Sequence, residues 1–272
     1  DFFIAVGLID QLSYPIIAIS AYLQEYLSTK PVAKKLESLF EQAPAGSERT
    51  IEISQIKSVA FRHVCFWYEG ASPILNDFSL KVNTGEKCMI TGQSGSGKST
   101  SMNLLLGYYE PQSGEILIND SNAFCVKQLN EKIAIMRQDP VLFNDTLRNN
   151  LTMYRDMCDD ELIALLQKLN LHKFATPEGL DSMIREGGSN LSGGERKRIA
   201  LARTLLRKAP ITILDEPLAN VDSETAEKIE DILAELSGGI VFVITHHFSD
   251  DKKKAFAKEF RFSHNHVEHG GI

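Results

Sequence analysis

Two rhythms of apolar and polar positions divide the chain near residue 50. In residues 16–42, IIAISAYLQEYLSTKPVAKKLESLFEQ, the positions Ile19, Leu23, Tyr26 and Leu27, then Leu36, Leu39 and Phe40 beyond Pro31, recur at helical spacing and predict an amphipathic arm. The overlapping stretch FFIAVGLIDQLSYPIIAISAYL is apolar but interrupted by Asp10, Gln11 and Pro15. It falls short of the about 20 apolar residues of a clean bilayer span and suits the end of one. Small and polar residues in APAGSERT, 43–50, read as a linker. Beyond it the rhythm turns to short strands: VCFWY, FSLKV, the turn NTGE, and KCMIT running into a glycine loop. IAIM (133–136), ITIL (211–214) and IVFVI (240–244) are continuous apolar runs, as parallel strands buried on both faces require. Helical periodicity returns in KSTSMNLLL, DDELIALLQKL, GERKRIALARTLLRK and SETAEKIEDILAEL. Strands alternating with helices predict an α/β domain on a parallel core sheet, with a helical insertion between about 139 and 200.

With 272 residues the chain has room for one large domain or two modest ones, and its apolar content makes disorder the poorer expectation. A formal charge of −7 argues against a protein held to nucleic acid mainly by phosphate neutralisation, which needs clustered Lys and Arg. Cys65, Cys88, Cys125 and Cys158 lie far apart with no C-x-x-C or zinc-type spacing, and read as reduced residues of the cytosol. The N-terminus has neither a basic n-region nor a small-residue cleavage site, so no secretory signal is expected, and the chain reads as a piece of a longer one.

Candidate chemistry begins at GQSGSGKST, where Gly92, Gly97, Lys98 and Ser99 satisfy G-x-x-x-x-G-K-[ST] directly after an apolar strand and before a helix. Glycines let backbone N–H groups turn inward around phosphate oxygens, Lys98 supplies a point charge to the β and γ phosphates, and Ser99 offers a hydroxyl to Mg²⁺. The whole loop, Gly92, Ser94, Gly95, Ser96, Gly97, Lys98, Ser99 and Thr100, is the candidate triphosphate cradle. In ITILDEP four apolar residues end in Asp215 at the edge of the sheet where ligands bind, suited to hold Mg²⁺ through a water. Glu216 comes next, suited to activate a water for attack on the γ phosphate.

Together with LSGGE at 191–195, these motifs resemble, in order and spacing, the nucleotide-binding domain of an ATP-binding cassette (ABC) transporter, over nearly all of residues 51–270. The resemblance implies a P-loop NTPase with a parallel core sheet, an antiparallel β subdomain and an α-helical subdomain at about 139–200, binding ATP and Mg²⁺. It assigns Tyr68 to stacking on adenine, where a core aromatic is the competing reading beside Phe66 and Trp67. It assigns Gln138 to sensing Mg²⁺ and the attacking water, and His246 to contacting the γ phosphate. The resemblance also places Asp222 at the end of the loop that communicates between two ATP sites; this chain has Ala219, Asn220, Val221 and Asp222 where the family more often has Ser-Ala-Leu-Asp.

The helix LSGGERKRIALARTLLRK is also readable without the family. Ser192 and Glu195 form an S-x-x-E capping box. Gly193 and Gly194 are left over, since consecutive glycines cost helix stability, and they make sense where a backbone must approach an anion closely. The resemblance implies that Ser192, Gly193 and Gly194 cover the ATP of a second, antiparallel copy. Glu195 stands where the family usually has glutamine, and its charge is expected to point away from the phosphate.

Residues 1–45 are similar to the cytosolic end of the last transmembrane helix and the linker of fused exporters, here truncated from its transmembrane domain, and QDPVLFNDTLRNNL looks like the exporter form of the glutamine loop. The resemblance therefore implies an ATPase domain at 51–272 on the cytoplasmic face of the cell membrane. Its partners would be its own transmembrane domain and a second half-transporter, identical or related, and no nucleic acid. The rival reading is a soluble cassette ATPase acting on nucleic acid or the translation machinery; it lacks the usual coiled-coil insertion or paired cassette. A P-loop kinase is disfavoured by LSGGE. HNHVEH, with His264, His266 and His269, and DDKKK, 250–254, read as solvated segments rather than sites.

Overall fold

The computed structural model describes residues 51–70, 72–263 and 266–270, together with Lys30. The expectations for the arm at 1–45, the linker at 43–50 and the side chains of His264, His266 and His269 lie outside the described residues. No helix among the described residues is long and apolar enough to cross a membrane.

Alternation of buried and exposed residues produces an antiparallel sheet first. β1 (Ser58–Phe66), β2 (Leu75–Asn83), β4 (Ser113–Ile118) and the short β5 (Ser121–Asn122) lie in the order β2-β1-β4-β5. β2 buries Leu75, Phe78, Leu80 and Val82 and exposes Ser79 and Lys81. β1 ends at Phe66, so the VCFWY run leaves the sheet before Trp67 and Tyr68.

The continuous apolar runs make the second sheet: β3 (Lys87–Gly92), β6 (Ile133–Met136), β9 (Ile211–Asp215), β10 (Ile240–Ile244), β11 (Lys258–Ser263) and β12 (His266–Gly270), ordered β12-β11-β3-β10-β9-β6. All of its pairings are parallel except β11 with β12. Each central strand serves two cores. Ile240, Phe242 and Ile244 of β10 join the cluster shared with the antiparallel sheet and α1 (Lys98–Leu105), whereas Val241 and Val243 join the cluster of the other helices. That is why IVFVI carries no alternation.

The second cluster is filled from α2 (Leu147–Thr152), α3 (Asp159–Lys168), α4 (Pro177–Leu180), α5 (Gly193–Leu206) and α6 (Ser223–Glu235), followed in the chain by the short α7 (Asp250–Lys253). Leu162 and Leu166 of α3 and Ile199, Leu201 and Leu206 of α5 are fully or nearly buried. A ribbon of β7 (Asp145–Thr146) with β8 (Met183–Ile184) lies within this helical region, too short for periodicity to announce. Among the described residues Cys88 is buried, Cys65 and Cys125 are half-buried and Cys158 is exposed. DDKKK forms α7 and its C-terminal cap, its charges tied by Lys253–Asp250 at 2.6 Å and Lys252–Asp231 at 2.7 Å.

Strand register brings the motifs to one place. Ile244 of β10 lies opposite Ile90 of β3 on one side and Asp215 of β9 on the other. The ends of three adjacent strands, at Gly92, Asp215 and Ile244, therefore emerge together at the C-terminal edge of the sheet, the position at which parallel α/β sheets bind ligands.

Candidate nucleotide-binding site

The glycine loop is shaped by close approach as much as by freedom. Gly92 has φ 137°, and a Cβ there would stand 2.1 Å from the Phe262 carbonyl oxygen. Gly97 has φ 103° and its Cβ would meet Ile74 Cγ2 at 2.8 Å. Between them buried Ser96 donates its hydroxyl to the Gln93 carbonyl at 2.8 Å. Lys98 Nζ donates to the carbonyls of Gly92 at 2.8 Å and Gln93 at 2.7 Å, crossing the loop it belongs to.

α1 starts from Gly97 with no side-chain cap and no acidic residue in its first turn. By contrast, Thr146, Ser192 and Asp222 cap α2, α5 and α6. α3 and α7 also start without a side-chain cap but carry acidic residues in their first turns, whereas the first-turn N–H groups of α1 have Lys98 beside them, and phosphate fits this end on geometry and charge.

A cleft of about 300 Å³ opens over this end. It is lined by Tyr68, Ile74, Ser94, Gly95, Gly97, Lys98, Ser99, Thr100, Gln138, Asp215, Glu216 and His246. All of these except Ile74 are sequence candidates, gathered from β3, β6, β9 and β10 and their neighbours. Gly92 and Ser96 do not line the cleft and instead hold the loop's shape.

Ser99 Oγ donates to Asp215 Oδ2 at 3.1 Å. Hydroxyl, carboxylate and the Gln138 amide oxygen are hard donors that suit Mg²⁺. Among the described residues no three His, Cys, Asp or Glu side chains converge as a metal cage, so phosphate and water oxygens would complete the shell. Burial raises the Asp215 carboxyl above its ordinary range, against the Ser99 hydrogen bond and the charges of Lys98, Arg137 and Lys197. Glu216 is raised as well, by burial first, with His246 opposing and Asp215 adding to the rise. Lys98 is lowered by burial, with Glu216 and Asp215 holding against it. His246 Nε2 lies 3.2 Å from Glu216 Oε1. Glu216 itself has φ 53°, a left-handed conformation that a non-glycine residue adopts at a cost and that clusters at functional sites.

Tyr68 is both core-packed and available. Its ring meets Phe66 edge-on at 5.1 Å and Tyr109 edge-on at 5.2 Å, its hydroxyl lies 3.4 Å from Thr100 Oγ1, and it still lines the cleft.

Ser192, Gly193, Gly194 and Asp222 do not line the cleft. The capping box is present: Ser192 Oγ accepts from Glu195 N at 3.2 Å and Glu195 Oε2 accepts from Ser192 N at 2.8 Å. The other Glu195 oxygen pairs with Lys173 at 2.5 Å, so the carboxylate is engaged within its own chain. The two glycines differ. A Cβ on Gly193 would meet nothing within 4 Å, whereas one on Gly194 would press on the Asn220 carbonyl at 3.2 Å. Gly194 therefore also sits close against the loop that leads to Asp222. Asp222 caps α6, accepting from Thr225 N at 3.0 Å.

Sequence reasoning missed Ile74, which lines the cleft, and Tyr109, which backs Tyr68, because both arrive by tertiary packing from segments without a motif. A larger cavity of about 410 Å³ between α3, α5 and α6 is mostly apolar, and Lys208 and Glu161 in its lining pair with each other at 2.6 Å.

A parallel sheet with an uncapped helix behind a glycine loop, two carboxylates and a histidine at one edge defines a P-loop nucleotide-binding domain. The family model described as ABC transporter matches residues 75–219, and the chain belongs to that family. It is similar to the ATP-dependent lipid A-core flippase of Syntrophus aciditrophicus, 35% identical over 226 residues, 80% of this chain and 37% of that protein. Similar too is the glutathione/L-cysteine transport system ATP-binding/permease protein CydD of Bacillus subtilis, 39% identical over 197 residues, 71% of this chain and 34% of that one. Among solved structures, a bacterial Atm1-family ABC exporter with ATP bound superposes with TM-score 0.73 and 29% identity, over 90% of this chain and 45% of that one. The chain thus spans less than half the length of these relatives.

Proposed function

We propose that the chain is the ATP-hydrolysing part of a half-transporter that drives export across a membrane by closing two such domains on ATP. One observation carries the reading: the cleft gathers the candidates for one side of a nucleotide, while the capped helix start at Ser192–Gly194 lies outside it. A second copy supplying that helix start completes the site.

In this reading Tyr68 stacks on the base, the Gly92–Thr100 loop and Lys98 hold the phosphates, and Ser99, Asp215 and Gln138 hold Mg²⁺. Bound Mg²⁺ would neutralise charge on the β and γ phosphates. Glu216 accepts the proton of the attacking water, and His246 orients it beside the γ phosphate. The partner domain, identical or related, brings Ser192, Gly193 and Gly194 to that phosphate, and Asp222 lies on the loop between the two sites. The domain sits on the cytoplasmic face of the membrane, below its own transmembrane helices. The similar proteins are transporters, which favours export over the nucleic-acid reading.

Glu216→Gln tests it: ATP binding is retained, an ATP-dependent dimer accumulates on size exclusion, and turnover falls by about 100-fold or more, the usual scale for loss of a general base. Wild-type turnover would remove Glu216 from the role. Ser192→Arg is expected to keep nucleotide affinity in the separated domain and to lose turnover in the assembled transporter.

A further inference from the structure

Beyond β10 the chain carries His246 over the edge of the sheet, and three attachments hold that short segment. Buried Thr245 donates its hydroxyl to the His247 carbonyl at 2.8 Å and accepts from the His247 N–H at 3.3 Å. Phe248 is buried in the second core, edge-on to Phe256 at 5.0 Å. The third attachment is ionic. Glu230, in the middle of α6, is 6% exposed; its Oε1 accepts the Ser249 N–H at 3.0 Å and its Oε2 the Ser249 hydroxyl at 2.5 Å.

A buried carboxylate is costly unless its oxygens are bonded, and bonds from a charged acceptor are the stronger kind. Here both oxygens are committed to one residue. The nearest cation, Lys252, is 3.8 Å from Oε2 and is itself occupied by Asp231 at 2.7 Å and the Glu227 carbonyl at 2.8 Å. Packing alone would accept a leucine at this place on α6. A bidentate carboxylate instead fixes Ser249 in both position and orientation.

We infer that Glu230 is a positioning residue for hydrolysis: by clamping Ser249 it sets where the His246 ring stands against Glu216, now 3.2 Å away. Glu230 touches no reacting atom. The inference rests on the proposed roles of Glu216 and His246, and it adds a residue of α6 to the machinery.

The test is a double-mutant comparison in the assembled transporter, with ATP turnover, ATP KM and thermal melting measured on each variant. Glu230→Ala is expected to lower kcat on the order of tenfold to a hundredfold, the scale of a small misplacement of a catalytic group, with KM little changed. Glu230→Gln restores most of the rate, because its amide still accepts the Ser249 N–H and donates to the Ser249 hydroxyl. In a His246→Ala background, followed by single-turnover ATP cleavage, Glu230→Ala costs nothing further. Should Glu230→Ala fold poorly, Ser249→Ala removes one bond of the clamp and shows the same selective loss of kcat at smaller size. A Glu230→Ala rate equal to wild type beside a slow His246→Ala overturns this inference alone. So does a full additional loss in the His246→Ala background, which marks a general structural role. A wild-type rate in His246→Ala overturns the reading of the site, and this inference with it.

Discussion

Glu216 combines three properties that its one letter in the sequence does not carry: a left-handed backbone, near-complete burial and a histidine 3.2 Å away. Burial favours its protonated form, so its carboxyl titrates above the ordinary glutamate range. In its proposed role as general base, Glu216 works deprotonated. The rate therefore falls as pH drops through that raised pKa, and the acid limb of kcat/KM, which reports the free enzyme, is expected above the range of an ordinary glutamate. His246 is the largest of the influences that oppose the rise, so His246→Ala moves the acid limb of the residual activity to still higher pH. A pH–rate profile of both proteins checks the sign; an unshifted or lowered limb in the variant contradicts it. Glu216 and Asp215 were legible in LDEP because strand, carboxylates and loop are consecutive. Ile74 and Tyr109 were not, since Ile74 reaches the cleft, and Tyr109 the ring of Tyr68, from separate segments that only the folded chain brings together.

At the scale of the element, the start of α5 separates what stabilises a helix from what it presents. Ser192 and Glu195 satisfy each other's backbone N–H groups, and Ser192→Ala is expected to cost about 1 kcal/mol in denaturant unfolding. Gly193 and Gly194 then diverge. Gly193→Ala meets no neighbour, so thermal melting stays level or rises slightly while turnover of the assembled transporter drops. Gly194→Ala crowds the Asn220 carbonyl and loses any gain in helix propensity, which lowers the melting temperature relative to Gly193→Ala. Equal melting of the two variants would remove the distinction. The S-x-x-E pattern made the cap readable from the sequence. The asymmetry of the glycines was not readable, because it depends on the carbonyl of a loop 26 positions further along the chain. The helices themselves were visible by period, whereas the β7–β8 ribbon between them, two residues on each side, offers no period at all.

Across the described molecule, one sheet separates two cores and β10 belongs to both. Phe242, fully buried on one face, is expected to cost about 3–5 kcal/mol when cut to alanine, read as a lowered denaturation midpoint. The continuous apolar runs made the parallel sheet legible, but not the order β12-β11-β3-β10-β9-β6, which no local pattern encodes. That order has a consequence for what the site can measure. β3 and β9 flank β10, so the strand that feeds the glycine loop and the strand that ends in Asp215 are two hydrogen-bonded spacings apart, about 10 Å. The backbone is the ruler here. Side-chain changes in the loop can weaken the grip on a ligand, but the span between its two anchoring points is cut by the sheet, and a chain of phosphates is judged against a length that no single substitution adjusts.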